Sequence, residues 1–219
     1  MTRELFEKEL QQLREALLEM GSKVEAQIGD AATAMQKRDG ALADRVRADD
    51  RILNDLFVRI REEALITIAR QSPVARDLRL VMGYVYIAAE LERIGDYAVR
   101  IARFTGTLVG LPAKPVRAEF GLMAHLAIRQ VHDILDALFD MDEQSAQQIA
   151  GRDDEIDRLY HRLFEDLVHE MALADDSDET LALITLILVA HNLERIADRV
   201  TNVAEDIVFL ETGAVVELG

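Results

Sequence analysis

The stretch AAELERIGDYAVRIA occupies residues 88–102, and AHNLERIADRVTNVA occupies residues 190–204. Both write Leu-Glu-Arg-Ile, then a small residue, then Asp. Glu92 and Glu194 stand 102 residues apart in a chain of 219, close to half its length. Such a spacing points to an internal duplication, which decides architecture before any local reading does. The repeat extends outward from these motifs. At an offset of 103, DRILNDLF (50–57) aligns with DDEIDRLY (153–160). Asp50 then meets Asp153, Leu53 meets Ile156, Asn54 meets Asp157, Leu56 meets Leu159 and Phe57 meets Tyr160. The same offset pairs Met20 with Met123 and Asp39 with Asp142. At Asp77 and Glu179 the offset is 102, so the second half is one residue shorter in an intervening turn.

Each half reads as three long helices. In the first, helix one is expected over 2–38, ending at the charged QKRDG, and helix two over 41–70. Ser72 and Pro73 read as a cap and first-turn proline for helix three, over 73–106. Leu53, Leu56, Phe57, Ile60, Ala64 and Ile68 keep the i, i+3, i+4 rhythm of one buried stripe. No segment sustains the period-two alternation of a strand. The linker is TGTLVGLPAKP (105–115), which holds two of the chain's three prolines. Second-half helices are expected over 116–149, 152–174 and 177–211, with Asp176 and Glu179 spaced as a capping box. The fold class is therefore all-α, a tandem repeat of two antiparallel three-helix bundles. Residues 1–109 form the first bundle, 110–115 the linker and 116–219 the second.

Composition agrees and narrows function. Half of the residues are hydrophobic, only 5% are aromatic and none is Trp, a helix-favouring mixture. A net charge of −16 argues against binding nucleic acid, whose affinity comes largely from Lys and Arg. The absence of cysteine excludes disulfides, thiolate metal sites and Cys nucleophiles. The N-terminal MTRELFEKELQQLREALLEM mixes charges throughout, so no secretory signal is expected. LALITLILVA (181–190) is shorter than the ~20 residues of a membrane span and reads as a buried helix. A soluble, cytoplasmic protein is expected.

The repeated acids invite chemistry. Glu92 with Asp96, Glu194 with Asp198, Asp50 with Asn54 and Asp153 with Asp157 each stand at i, i+4, on one helix face. Like charges so placed cost a helix a few tenths of a kcal/mol, so something nearby must offset them. Arginine is one answer: Arg93 and Arg195 lie inside the motifs, and Arg51, Arg76 and Arg79 could bridge helices. A metal is the other. Carboxylates of helices two and three converging in one bundle would suit Mg²⁺, Mn²⁺, Ca²⁺ or iron rather than structural zinc. Asp77 and Glu179 fall fifteen residues before Glu92 and Glu194, on nearly the same face. A catalytic di-iron bundle would need Glu-x-x-His pairs from two helices, and the chain has none; His191 precedes Glu194 in the reverse order. P-loop, G-x-S-x-G and Rossmann signatures are absent.

SPVARDLRLVM, ELERIGD, NLERIADRVTNVAE, DRILN and DDEID, in this arrangement, closely resemble the PhoU family over essentially the whole chain. The resemblance implies paired three-helix bundles and a negative regulator of the phosphate-starvation response and of phosphate uptake. Expected partners are the ATPase subunit of the phosphate-specific ABC transporter and a phosphate sensor histidine kinase. A homodimer that reaches the membrane only through those partners is also expected, as is the lack of enzymatic activity. In some family members the E/D-x-x-x-D motifs hold multinuclear metal clusters. Here they fall on Glu92–Asp96 and Glu194–Asp198, with Asp50–Asn54 and Asp153–Asp157 as the helix-two partners. The cofactor would be a divalent or ferric ion: iron, manganese, magnesium or zinc. Family members often carry Asn one turn after the motif aspartate. Asn202 fits, whereas Arg100 stands there in the first half, opposing a cation, and Asn54 is a neutral amide; the second half is expected to bind metal better. The competing classes are a carboxylate-bridged metalloenzyme and a metal-free helical adaptor.

Overall fold

The computed structural model describes residues 3–218, and the described residues contain helices and no strand. In chain order they are α1 (Arg3–Lys37), α2 (Gly40–Gln71), α3 (Ala75–Val109), α4 (Ala118–Asp140), α5 (Glu143–Ala150), α6 (Asp153–Met171) and α7 (Ser177–Thr212). The expected start of helix one at Thr2 lies outside the described residues. Helices α1, α2 and α3 pack on one another as the first bundle; α4, α5, α6 and α7 form the second. Helices of 35 or 36 residues, such as α3 and α7, run for about 50 Å.

The repeat reaches down to single hydrogen bonds. After α1 the chain turns through Arg38 in the left-handed region (φ 51), and after α4 through Met141 (φ 53). Asp39 N–H then donates to Ala34 O (2.8 Å), and Asp142 N–H to Ala137 O (2.9 Å), the six-to-one closure of a Schellman turn. Each aspartate next caps the following helix: Asp39 accepts from Leu42 N–H, and Asp142 from Ser145 N–H, satisfying donors a helix start leaves free.

These turns correct the expected helix over 116–149. Helix one of the second half stops at Asp140, and helix two starts at Glu143 but is interrupted. Arg152 N–H bonds Ile149 O rather than a carbonyl four residues back, so α5 ends and α6 begins at Gly151–Arg152. The first half, with Ala48 and Asp49 at these positions, keeps one unbroken α2. The expected cap at Ser72 is likewise corrected. Ser72 takes a left-handed conformation (φ 46) and donates its N–H to Ile68 O, closing α2. Helix α3 starts only at Ala75, with Val74 at its cap and no side-chain cap bond. An N-cap residue takes an extended conformation, whereas Ser72 is left-handed, so it closes one helix and does not open the next.

The expected stripe on α2 is met: Leu53, Leu56, Ile60 and Ala64 are buried, and Phe57 and Ile68 pack against them. The paired Met20 and Met123 are both fully buried. The buried residues of the two bundles nevertheless form one continuous core, because α3 packs on α7 and α1 on α4. Gly83 marks how closely α3 and α7 approach. A Cβ there would lie 2.3 Å from Leu210 Cδ2 and 2.8 Å from its Cγ. Gly83→Val is therefore expected to cost about 2–3 kcal/mol through overpacking, read as a lower urea midpoint at unchanged slope.

By length and composition α7 resembles a membrane-crossing helix. Its apolar residues Leu183, Leu186, Val189, Leu193 and Ile196 are instead buried against protein, which accounts for the hydropathy by packing.

Candidate metal centre

The motif helices place the second-half acids on the seam between α6 and α7. Asp153 and Asp157 lie one turn apart at the start of α6, and Glu194 and Asp198 one turn apart on α7. Asp153, Asp157 and Asp198 each offer an oxygen within 4.8 Å of the others. Glu194 adjoins them closely enough to feel the charges of Asp198, Asp157 and Asp153. All four side chains are half-buried.

Among the described residues only one of these acids is paired with arginine: Arg195 pairs with Asp198. Asp153 Oδ1, Asp157 Oδ1 and Glu194 Oε2 are shielded from solvent without a hydrogen-bond partner. His191 Nδ1 lies 3.2 Å from Glu194 Oε2 but outside hydrogen-bond geometry. Burial first, then the charges of Asp157, Asp198 and Asp154, push the Asp153 carboxyl up to about 7. Burial first, then Asp198 and Asp157, push Glu194 up to about 7. Asp157 is raised by burial and by Asp198. Unpaired carboxylates held in partial shelter favour protonation or a cation. An all-oxygen donor set with three free shielded oxygens fits a hard cation, and these four residues could hold one.

The sequence model of the PhoU domain matches residues 17–105 and again residues 120–207. The chain belongs to the PhoU family. The two matched segments start 103 residues apart and end 102 apart, the offsets read from the repeat. The chain is 39% identical over 95% of its length, and 88% of the relative's, to the phosphate-specific transport system accessory protein PhoU homolog of Rhizobium meliloti. It is 36% identical to the phosphate-specific transport system accessory protein PhoU of Escherichia coli K12, over 95% and 86% of the two chains. The crystal structure of PhoU from Pseudomonas aeruginosa matches with a TM-score of 0.87 at 33% identity, over 95% of this chain and all of that one. The phosphate transport system regulatory protein PhoU from Streptococcus pneumoniae matches with a TM-score of 0.88 at 27% identity, over 97% of this chain and all of that one. The PhoU fold thus extends over nearly all of the chain.

The first-half PhoU motif assembles a looser counterpart. Asp50, Glu92 and Asp96 act on one another: burial, then Asp96, raises Asp50, and burial, then Asp96 and Asp50, raises Glu92. Asn54 spends its amide on Asp50 Oδ2, at 3.2 Å. Among the described residues the first-half acids do not bring three ligand atoms within the span that the second-half aspartates reach. Arg100, in the place of the family's Asn, has its guanidinium 4.9 Å over the Tyr97 ring, and the positive charge that lowers Asp50 is that of Arg103.

Asp77 and Glu179 stand apart from both clusters, because fifteen helical residues span about 22 Å. Asp77 accepts from Arg3 at 2.7 Å, and Glu179 pairs with Lys114 of the linker. The capping box is half-formed: Asp176 accepts from Glu179 N–H at 2.7 Å, while the Glu179 carboxylate goes to Lys114. Asn202 does not serve the second-half cluster either; it donates to Glu90 Oε2 across the α3–α7 contact, at 3.2 Å.

Two features escape a motif-led reading. Glu90, only 8% exposed, is held by Arg93, Arg199 and Asn202. Facing it, Asp206 is pushed up to about 7 by burial, then by Glu90 and Glu205. Glu90 precedes the motif by two residues, and its repeat mate is Asn192, so the duplication gives no signal for it. Gln27 and Gln130 are buried glutamines on α1 and α4, 103 residues apart. That offset is the signal that could have found them.

Proposed function

We propose that the protein regulates phosphate uptake by binding other proteins, with no catalytic turnover. In this reading it restrains the phosphate-specific transporter through its ATPase subunit and, through a sensor histidine kinase, keeps the starvation response off when phosphate is plentiful. It works in the cytoplasm as a homodimer and reaches the membrane through these partners. The observation that carries the reading is near full-length similarity to proteins named as accessory or regulatory components of phosphate transport systems.

The candidate metal centre suggests how such binding is set. Asp153 and Asp157 from α6, with Glu194 and Asp198 from α7, would hold a hard cation, which would neutralise their mutual repulsion. The four carboxylates then fix α6 against α7. Beside them Tyr160 meets Phe164 and His191 with tilted rings (centroids 6.1 and 5.9 Å apart), and Phe164, Ile184 and Leu188 are exposed. The acids thereby govern the shape of an apolar face suited to a partner helix.

Deletion of the gene tests the function. In high phosphate a starvation-response reporter is expected to stay switched on, and wild-type protein, but not the folded quadruple Asn/Gln variant of Asp153, Asp157, Glu194 and Asp198, is expected to silence it. A normal reporter response after deletion contradicts the regulatory reading.

A further inference from the structure

Helix one of each bundle contributes one buried amide at the same repeat position. Gln27 is 7% exposed and Gln130 4%, and the Oε1 atom of each is shielded from solvent without a donor. In the first half the surroundings are explicit. Gln27 Nε2 donates weakly to Val46 O on α2, at 3.4 Å, and the amide lies near enough to Asp50 to favour its ionised form. Gln27 Oε1 lies 2.9 Å from where a Cβ on Gly95 would stand. Gly95 is the small residue of the LERIGD motif, between Glu92 and Asp96. The amide therefore sits where α1 meets the acid-bearing faces of α2 and α3. Gln130 stands at the matching repeat position on α4, which packs on α5, α6 and α7. The repeat mates of Val46, Asp50 and Gly95 are Ile149, Asp153 and Ala197. A third buried glutamine with a free oxygen, Gln71, ends α2 far from the acids, and its repeat mate is Ala174.

An amide oxygen left without a partner in a shielded place is costly, and the chain bears this cost twice at one repeat position. Hard cations accept neutral amide carbonyls beside carboxylates. We propose that Gln27 and Gln130 complete the two acidic sites from helix one, each supplying its side-chain carbonyl oxygen as a neutral donor to the cation. Each site thereby draws on all three helices of its bundle. The proposal rests on the cation-binding reading above.

Manganese titration of the full-length protein at pH 7.5, with free Mn²⁺ followed by electron paramagnetic resonance, separates the two claims. Gln27→Leu is expected to weaken the first-half site, and Gln130→Leu the second, tenfold or more, within the 10–100-fold range seen when supporting groups of a metal site are lost. Gln27→Glu and Gln130→Glu restore an oxygen donor and are expected to bind at least as tightly as wild type. Cation-free melting temperatures of the Leu variants are expected to be unchanged or higher, since an unpartnered oxygen is removed. Should a Leu variant fail to fold, the Gln→Met variant, close in shape, takes its place. Unchanged affinity in the Leu variants overturns the proposal, as does failure of the Glu variants to restore binding, which would assign the amide N–H alone. If wild type itself binds no Mn²⁺, the cation reading fails and this inference falls with it.

Discussion

Replacing Glu194 by Gln together with Asp198 by Asn is expected to abolish cation binding in the second half and to raise the melting temperature of the cation-free protein. The two effects have one cause. Four carboxylates share the α6–α7 seam, one of them answered by Arg195, and the other three leave shielded oxygens unpartnered. The amide isosteres keep the volume, remove two of four negative charges and add donors that can face Asp153 and Asp157. Loss of the half-exposed Arg195 pair offsets part of the gain, by up to about 1 kcal/mol. A net gain of about 1 kcal/mol corresponds to about 2–4 °C in a chain of this size. Calorimetry in chelator measures the shift, and an Mn²⁺ titration measures the loss. A variant that loses stability without cation would show that the acids already have partners.

Acid is expected to remove the cation just as completely. Asp153 and Glu194 are both pushed up to about 7, and both must lose their protons to serve a cation. They interact, so they titrate as a coupled pair. Below pH 6 each bound proton costs about tenfold in affinity per pH unit, up to ~100-fold per unit for the two. The stability of the cation-free protein carries the opposite sign. Folded values near 7 lie above the ordinary carboxylate values of the unfolded chain, so the native state binds more protons between about pH 4 and 7. This contribution is full below pH 4 and is lost as pH rises through 7. Urea midpoints in chelator should therefore fall from pH 5 to pH 8, whereas the stabilisation conferred by added Mn²⁺ should grow over the same range. A chelated protein whose midpoint rises through this window would mean that the acids are ion-paired.

The duplication is legible in the sequence because the turns and buried stripes recur with their residues: Asp39 and Asp142 cap matching helices, and Met20 and Met123 fill matching places. It also explains why the repeated motif has Gly once and Ala once. At Gly95 a Cβ would lie 2.4 Å from Leu53 Cδ1; in the second half Ile156 replaces Leu53, and Ala197 is accommodated and fully buried. The end of the second helix one is harder to read. Met141 carries no turn signature, yet its pairing with Arg38, both with positive φ, places the turn there. The break at Gly151–Arg152 has no counterpart in α2, so the repeat does not indicate it, but the helix boundary expected between 149 and 152 falls there. Asp153, Asp157, Glu194 and Asp198 are legible as a cluster because i, i+4 spacing on two packed helices brings them to one seam. Asp77 and Glu179 share a face with them but not a height, and helical angle alone does not weigh distance along the axis. Gln27 and Gln130 stay hidden when only acids and histidines are considered as ligands.

The central claim, that the carboxylates of α6 and α7 hold a hard cation, is tested most directly by anomalous diffraction at the manganese edge. Crystals of the full-length protein grown with Mn²⁺ at pH 7.5 are expected to show an anomalous peak among Asp153, Asp157, Glu194 and Asp198. A well-ordered cluster with no peak there, and with those carboxylates held by arginine or by each other, would contradict the account.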